Sequence, residues 1–261
     1  MKRIPPLVSL VFLILTCCLE VSAQTVHVFV ALADNAHQGI VSVPAALGNG
    51  EDPDRNLYWG AAFGVKSFFN KSAEWRQAQL TKNPNKYILE SVTFRHTGSG
   101  VTLIADAYRG SEIKQAISDF FDAASGLGYA TFSGGGIGPS PNQRAIVHSL
   151  VDMVVYVGHD GLMDFSMDRA FLGRGKEKRQ AIVLACASKQ YFGSVLKPTG
   201  AEPLLWTTNL MAPEAYTLKA ALDGWIAGES GEQIRQRAAA AYAQYQKISE
   251  RAALKLFATG W

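Results

Sequence analysis

Met153-Val154-Val155-Tyr156-Val157, followed by Gly158-His159-Asp160-Gly161, decides how this chain is read. Its companion is Ala181-Ile182-Val183-Leu184, followed by Ala185-Cys186. Each run is short, rich in β-branched residues and almost free of polar groups. That is the pattern of a strand buried on both faces of a parallel sheet. In an open parallel sheet, reactive groups gather just beyond the carboxyl ends of the strands. If the two strands are neighbours, His159 and Cys186 stand side by side at one rim. The 27 positions from His159 to Cys186 leave room for the crossover that parallel strands need.

A thiol beside an imidazole can carry nucleophilic chemistry. Free cysteine titrates at about 8.5, so little of it is thiolate at neutral pH. A neighbouring histidine can take the proton and later return it to a leaving amine. The plain alternative is that a cysteine at a strand end is a small buried hydrophobe.

The N-terminus narrows the setting. Lys2 and Arg3 precede an apolar core at 7–19, and Val21-Ser22-Ala23 is a small-residue cleavage signal. This reads as a secretory signal peptide cut after Ala23, with residues 24–261 as one α/β domain. Thr16 and Cys17 fit poorly before a lipid-modified cysteine, and the apolar core is short for a membrane span, so no stable membrane insertion is expected after cleavage. Without Lys2, Arg3 and Glu20 the chain has 23 basic and 21 acidic residues, a net charge of +2, which is no footprint for nucleic acid. Cys17 and Cys18 leave with the signal, and Cys186 remains as the sole cysteine of an exported, periplasmic or secreted protein. A lone thiol in an oxidising compartment is a liability unless it works.

The rest of the chain supplies the elements. Residues 25–34 read as a buried strand ending at Asp34, near the same rim as His159. Leu57, Ala61, Val65 and Phe68 predict a helix over 56–69. Residues 87–94 and 101–108 predict two strands, and 111–126 an amphipathic helix after Ser111. Ser133-Gly134-Gly135-Gly136 reads as a mobile rim loop before a helix at 142–151; a phosphate cradle at that helix N-terminus is the alternative, though GxxxxGK[ST] is absent. The charge run at 173–179 reads as a solvated face. Further on come a helix at 189–196, a buried strand at 203–208, and a helix with Pro213 in its first turn that ends at Gly228. Ser230 with Gln233 makes a capping box for a last helix through about 247.

The order of these elements, with Gly-His near the end of one strand and Ala-Cys at the end of the next, resembles the caspase-like cysteine peptidases: caspases, metacaspases, gingipains and bacterial CHAT domains. The resemblance spans most of residues 25–247. It implies an α/β three-layer sandwich with a mostly parallel central sheet, Cys186 as nucleophile and His159 as general acid/base. It further implies a peptide or protein substrate and no cofactor. In that family glycine directly follows the histidine and its N–H helps form the oxyanion hole. Here Asp160 stands in that place and Gly161 one position later. Either one supplies the donor, or the fold serves an inactive binding or scaffold protein.

Asp34, Asp160, Asp164 and Asp168 are candidates for lining a pocket for a basic substrate group, or are ordinary surface carboxylates. GxSxG is absent, which argues against a serine hydrolase of the elbow type. The five histidines show no HExxH or paired spacing, so no metal is expected; His27 and His148 read as packing or surface residues.

Overall fold

The computed structural model describes residues 24–127, 151–174 and 178–261. The expected signal peptide, the glycine-rich segment, residues 142–150 of the helix after it with His148, and the middle of the charge run lie outside the described residues.

The described chain forms one eight-stranded sheet. Its strands are β1 (Thr25–Ala31), β2 (Trp75–Lys82), β3 (Ile88–His96), β4 (Thr102–Tyr108), β5 (Met153–Val157), β6 (Gln180–Leu184), β7 (Glu202–Thr207) and β8 (Phe257–Ala258). The spatial order is β2-β3-β4-β1-β5-β6-β7-β8. The strands from β4 to β7 in that order are parallel, while β3 and β2 extend the sheet antiparallel on one side and β8 on the other. All five residues of β5 are buried, as the apolar run predicts.

The sheet separates two cores. On one face, Val26, Val28, Val155 and Leu205 meet Phe69 of α1 (Val65–Lys71), Leu218 and Leu222 of α4 (Ala215–Ile226) and Ile234 of α5 (Gly231–Gln246); α6 (Glu250–Leu256) joins this core through Ala253 and Leu256. On the other face, Phe29, Val154 and Tyr156 meet Ile117, Phe120 and Phe121 of α2 (Ile113–Ala124) and Phe192 of α3 (Ser188–Leu196). Alternate residues of one strand thus feed opposite cores, as the period of two requires. Each fully buried large side chain contributes about 1.5–3 kcal/mol. The result is an α/β sandwich of three layers.

The strand order places the rim. From β1 the chain departs towards β4, and from β5 towards β6, so the direction of winding reverses between β1 and β5. Connections leaving to opposite sides open a crevice at the carboxyl ends of those two strands. His159 follows β5 there, and Asp34 follows β1.

Several local expectations change. The helix predicted over 56–69 is limited to α1, and 57–64 is a series of turns. Asn56 accounts for this: its side chain accepts from the Ala33 N–H at 3.0 Å and donates to the Ala33 carbonyl at 2.8 Å, tying the loop to the end of β1. The helix after Pro213 starts two residues later, at Ala215. Strand β2 and helix α6 were not expected. β2 is exposed along most of its length, so it lacks the apolar alternation that marks a strand. The capping box forms as read: the Ser230 N–H donates to Gln233 Oε1 at 2.9 Å and the Gln233 N–H to Ser230 Oγ at 3.4 Å. His27 is buried, and its Nε2 lies 2.8 Å from the Asp106 carboxylate.

Candidate active site

The ladder between β5 and β6 sets the site. Met153 faces Gln180, Val155 faces Ile182 and Val157 faces Leu184, a constant offset of 27 residues. That offset equals the separation of His159 and Cys186. The Gly158 N–H donates to the Leu184 carbonyl at 3.2 Å and carries the ladder one residue past the strands. His159 and Cys186 each lie two residues beyond the end of their strand, at the carboxyl rim.

The chain leaves β5 through Gly158, whose φ is +153°. A Cβ there would meet the Ala31 carbonyl oxygen at 3.0 Å and the Tyr156 hydroxyl at 3.2 Å. Tyr156 folds back and donates to the His159 carbonyl at 2.8 Å. His159 is buried, and its Nε2 lies 2.6 Å from Asp164 Oδ2. Between them runs a 3-10 turn, Gly161–Met163, capped by Asp160, whose Oδ1 accepts from the Leu162 N–H at 3.0 Å.

The two oxyanion candidates differ. The Gly161 N–H already donates to the His159 carbonyl at 3.0 Å. The N–H groups of Asp160 and Cys186 have no acceptor among the described residues. The Asp160 side chain is wholly buried, and among the described residues its Oδ2 has no hydrogen-bond partner. Burial pushes this carboxyl up to about 7, and the nearby charge of Asp164 adds to the rise.

Cys186 sits on a tight turn between β6 and α3. Ala187 is left-handed, with φ 46° and ψ 33°. A small buried network braces the turn. Ser188 Oγ donates to the Val183 carbonyl at 2.9 Å and accepts from the Thr207 N–H at 3.0 Å. The Ser188 N–H donates to Thr207 Oγ1 at 3.1 Å, and that hydroxyl donates to the Ala185 carbonyl. The Ala187 N–H donates to the Asn209 carbonyl at 2.9 Å. The thiol itself accepts from the Met211 N–H at 3.4 Å and donates to the Met211 carbonyl at 3.6 Å. Its hydrogen bonds are thus with the loop after β7 and not with His159. Burial pushes the thiol above its ordinary value, the Met211 N–H opposes this, and the Asp160 charge adds to it.

The remaining carboxylates are engaged. Asp34 Oδ1 accepts from the Ala36 and His37 N–H groups at 2.9 and 3.2 Å, and Oδ2 lies 2.9 Å from His37 Nδ1. Asp168 pairs with Lys114 at 2.7 Å on the exposed surface. Asp164, considered above for a substrate pocket, is the partner of His159. Sequence reasoning missed that pairing, and it missed the bracing by Thr207. The signals were thin: a carboxylate five residues after the histidine, and a hydroxyl closing an apolar run. Among the described residues no group of three or more His, Cys, Asp or Glu side chains is placed to hold a metal ion. No helix among them is long and apolar enough to cross a membrane. No family model, curated protein or solved structure matches the chain.

Proposed function

We propose that the protein is an exported cysteine peptidase of caspase-like architecture that cleaves peptide bonds with Cys186 and His159. The matched 27-residue offset of β5 and β6 carries this reading, because it brings an imidazole and the thiol to one rim. The thiol gives its proton to His159, and the thiolate attacks the peptide carbonyl. The N–H groups of Asp160 and Cys186 receive the oxyanion; one such donor is typically worth about 100- to 1000-fold in rate. The tetrahedral adduct collapses, the C–N bond breaks, and His159 returns the proton to the departing amine. Water, deprotonated by His159, then hydrolyses the thioester and frees Cys186. Cys186 lies just before the N-terminus of α3, where the helix dipole favours a thiolate.

A second reading is a binding protein with an inert thiol. It is favoured by the hydrogen bonds that tie the Cys186 thiol to Met211 and by the burial that holds it protonated. The alkylation rate of Cys186 against pH, in the wild type and in His159→Ala, separates the two. The peptidase reading expects an apparent thiol titration below about 8.5 that His159→Ala abolishes. A slow reaction with ordinary pH dependence, indifferent to His159, sinks that reading and leaves the binding protein.

A further inference from the structure

We propose that Asp164 is a positioning residue that fixes which nitrogen of His159 faces the thiol. The proposal rests on the peptidase reading and adds a third member to the site.

The contact is short, 2.6 Å between Nε2 and Oδ2. A carboxylate only accepts hydrogen bonds, so Nε2 carries the proton. In the neutral ring Nδ1 is then the bare nitrogen, the one able to take a proton from sulfur. The opposite tautomer would set the Nε2 lone pair against the carboxylate oxygen. After proton transfer the imidazolium keeps its Nε2–H on the negative oxygen, which favours the charged pair.

The fold builds this contact from the backbone. The Asp164 N–H and the Phe165 N–H both donate to the Gly161 carbonyl at 2.9 Å, and this closes the turn. A Cβ at Gly161 would fall 2.7 Å from Phe165 Cζ, so the Phe165 ring packs directly on the turn. From the loop after β1, the Gly39 N–H reaches Asp164 Oδ2 at 3.4 Å, and a Cβ at Gly39 would lie 2.8 Å from Asp164 Oδ1. Gly39, on the loop after β1, thus makes room for the carboxylate. The competing explanation is an ordinary surface ion pair: the Asp164 side chain is 43% exposed, and such pairs contribute little. His159 is only 8% exposed on its side of the contact, so its ring is held by packing as well.

Two readouts on the full chain test the proposal. The first is the ¹⁵N tautomer signature of His159 in Cys186→Ala, assigned by its loss in His159→Gln. It needs no thiol, so it judges Asp164 even if the peptidase reading fails. The Nε2–H form is expected, becoming a tautomer mixture when Asp164→Ala is added. The second is the alkylation of Cys186, expected to fall roughly 100-fold at neutral pH in Asp164→Ala. At a pH above the thiol's own titration, where it ionises unaided, it should return to the wild-type rate. If Asp164→Ala does not fold, Asp164→Asn keeps the shape and one accepting oxygen. It should retain the Nε2–H form and still lose reactivity at neutral pH. A His159 tautomer that is Nδ1–H in the presence of Asp164, or one unmoved by Asp164→Ala, overturns the proposal. So does wild-type alkylation at neutral pH in Asp164→Ala when His159→Ala slows it; alkylation indifferent to both changes overturns the peptidase reading and leaves the tautomer to judge Asp164.

Discussion

At the scale of the residue, Asp160 is the most informative position. It replaces the glycine expected after the histidine, and the sequence alone marks it as a departure. Among the described residues its backbone N–H has no acceptor, and its buried side chain has one oxygen without a partner. The carboxyl is pushed up to about 7 by burial. In the unfolded chain it ionises near the usual value of about 4, so folding stability falls as pH rises from about 4 to about 7 and stays reduced above. Asp160→Asn should therefore stabilise the fold at pH about 8, by up to about 4 kcal/mol, and not at pH about 3. Thermal melts at the two pH values check this; an equal change at both would contradict it. The same variant removes a charge that opposes the thiolate, so Cys186 should alkylate faster at pH about 8. Asp164 was legible only as one of several nearby carboxylates. Its pairing with His159 depends on a 3-10 turn in a coil, where no periodicity announces the geometry.

At the scale of the element, the strands that lead to His159 and Cys186 were legible because they are buried on both faces and so read as continuous apolar runs. β2 was hidden for the opposite reason: an exposed edge strand, Arg76 and Gln77 and Gln79 among its residues, carries no burial signal. The turn holding Cys186 falls between these cases. Its support comes from Thr207, which lies 21 residues beyond Cys186 on a neighbouring strand, and no local pattern could connect the two. Thr207→Val keeps the shape and removes the hydroxyl. The Ser188 N–H then loses its acceptor and the Ala185 carbonyl its donor. The expected cost is about 1–3 kcal/mol. In urea this lowers the midpoint with the slope unchanged. An unchanged midpoint would mean that the network is not what braces the turn.

At the scale of the whole molecule, the order of strands does what no single stretch of sequence can. The apolar runs predict a parallel sheet, but which strands are neighbours is set by tertiary packing. β1, placed between β4 and β5, creates the reversal of winding that opens the rim. His159 and Cys186 follow β5 and β6, which lie deep in the sheet and are covered on each face by a separate core. The outer strand β2 is held on one side only and faces solvent along most of its length. Amide exchange should follow this division. β2 should open by local fraying, whereas β1, β5 and β6 should exchange only through global unfolding. Warming or mild denaturant will then loosen the margin of the sheet well before it disturbs the spacing of His159 and Cys186. If Cys186 and His159 work together as proposed, histidine-dependent thiol reactivity should persist through partial melting and vanish in one step with the last protected amides, so that the chemistry is lost all at once and not by degrees.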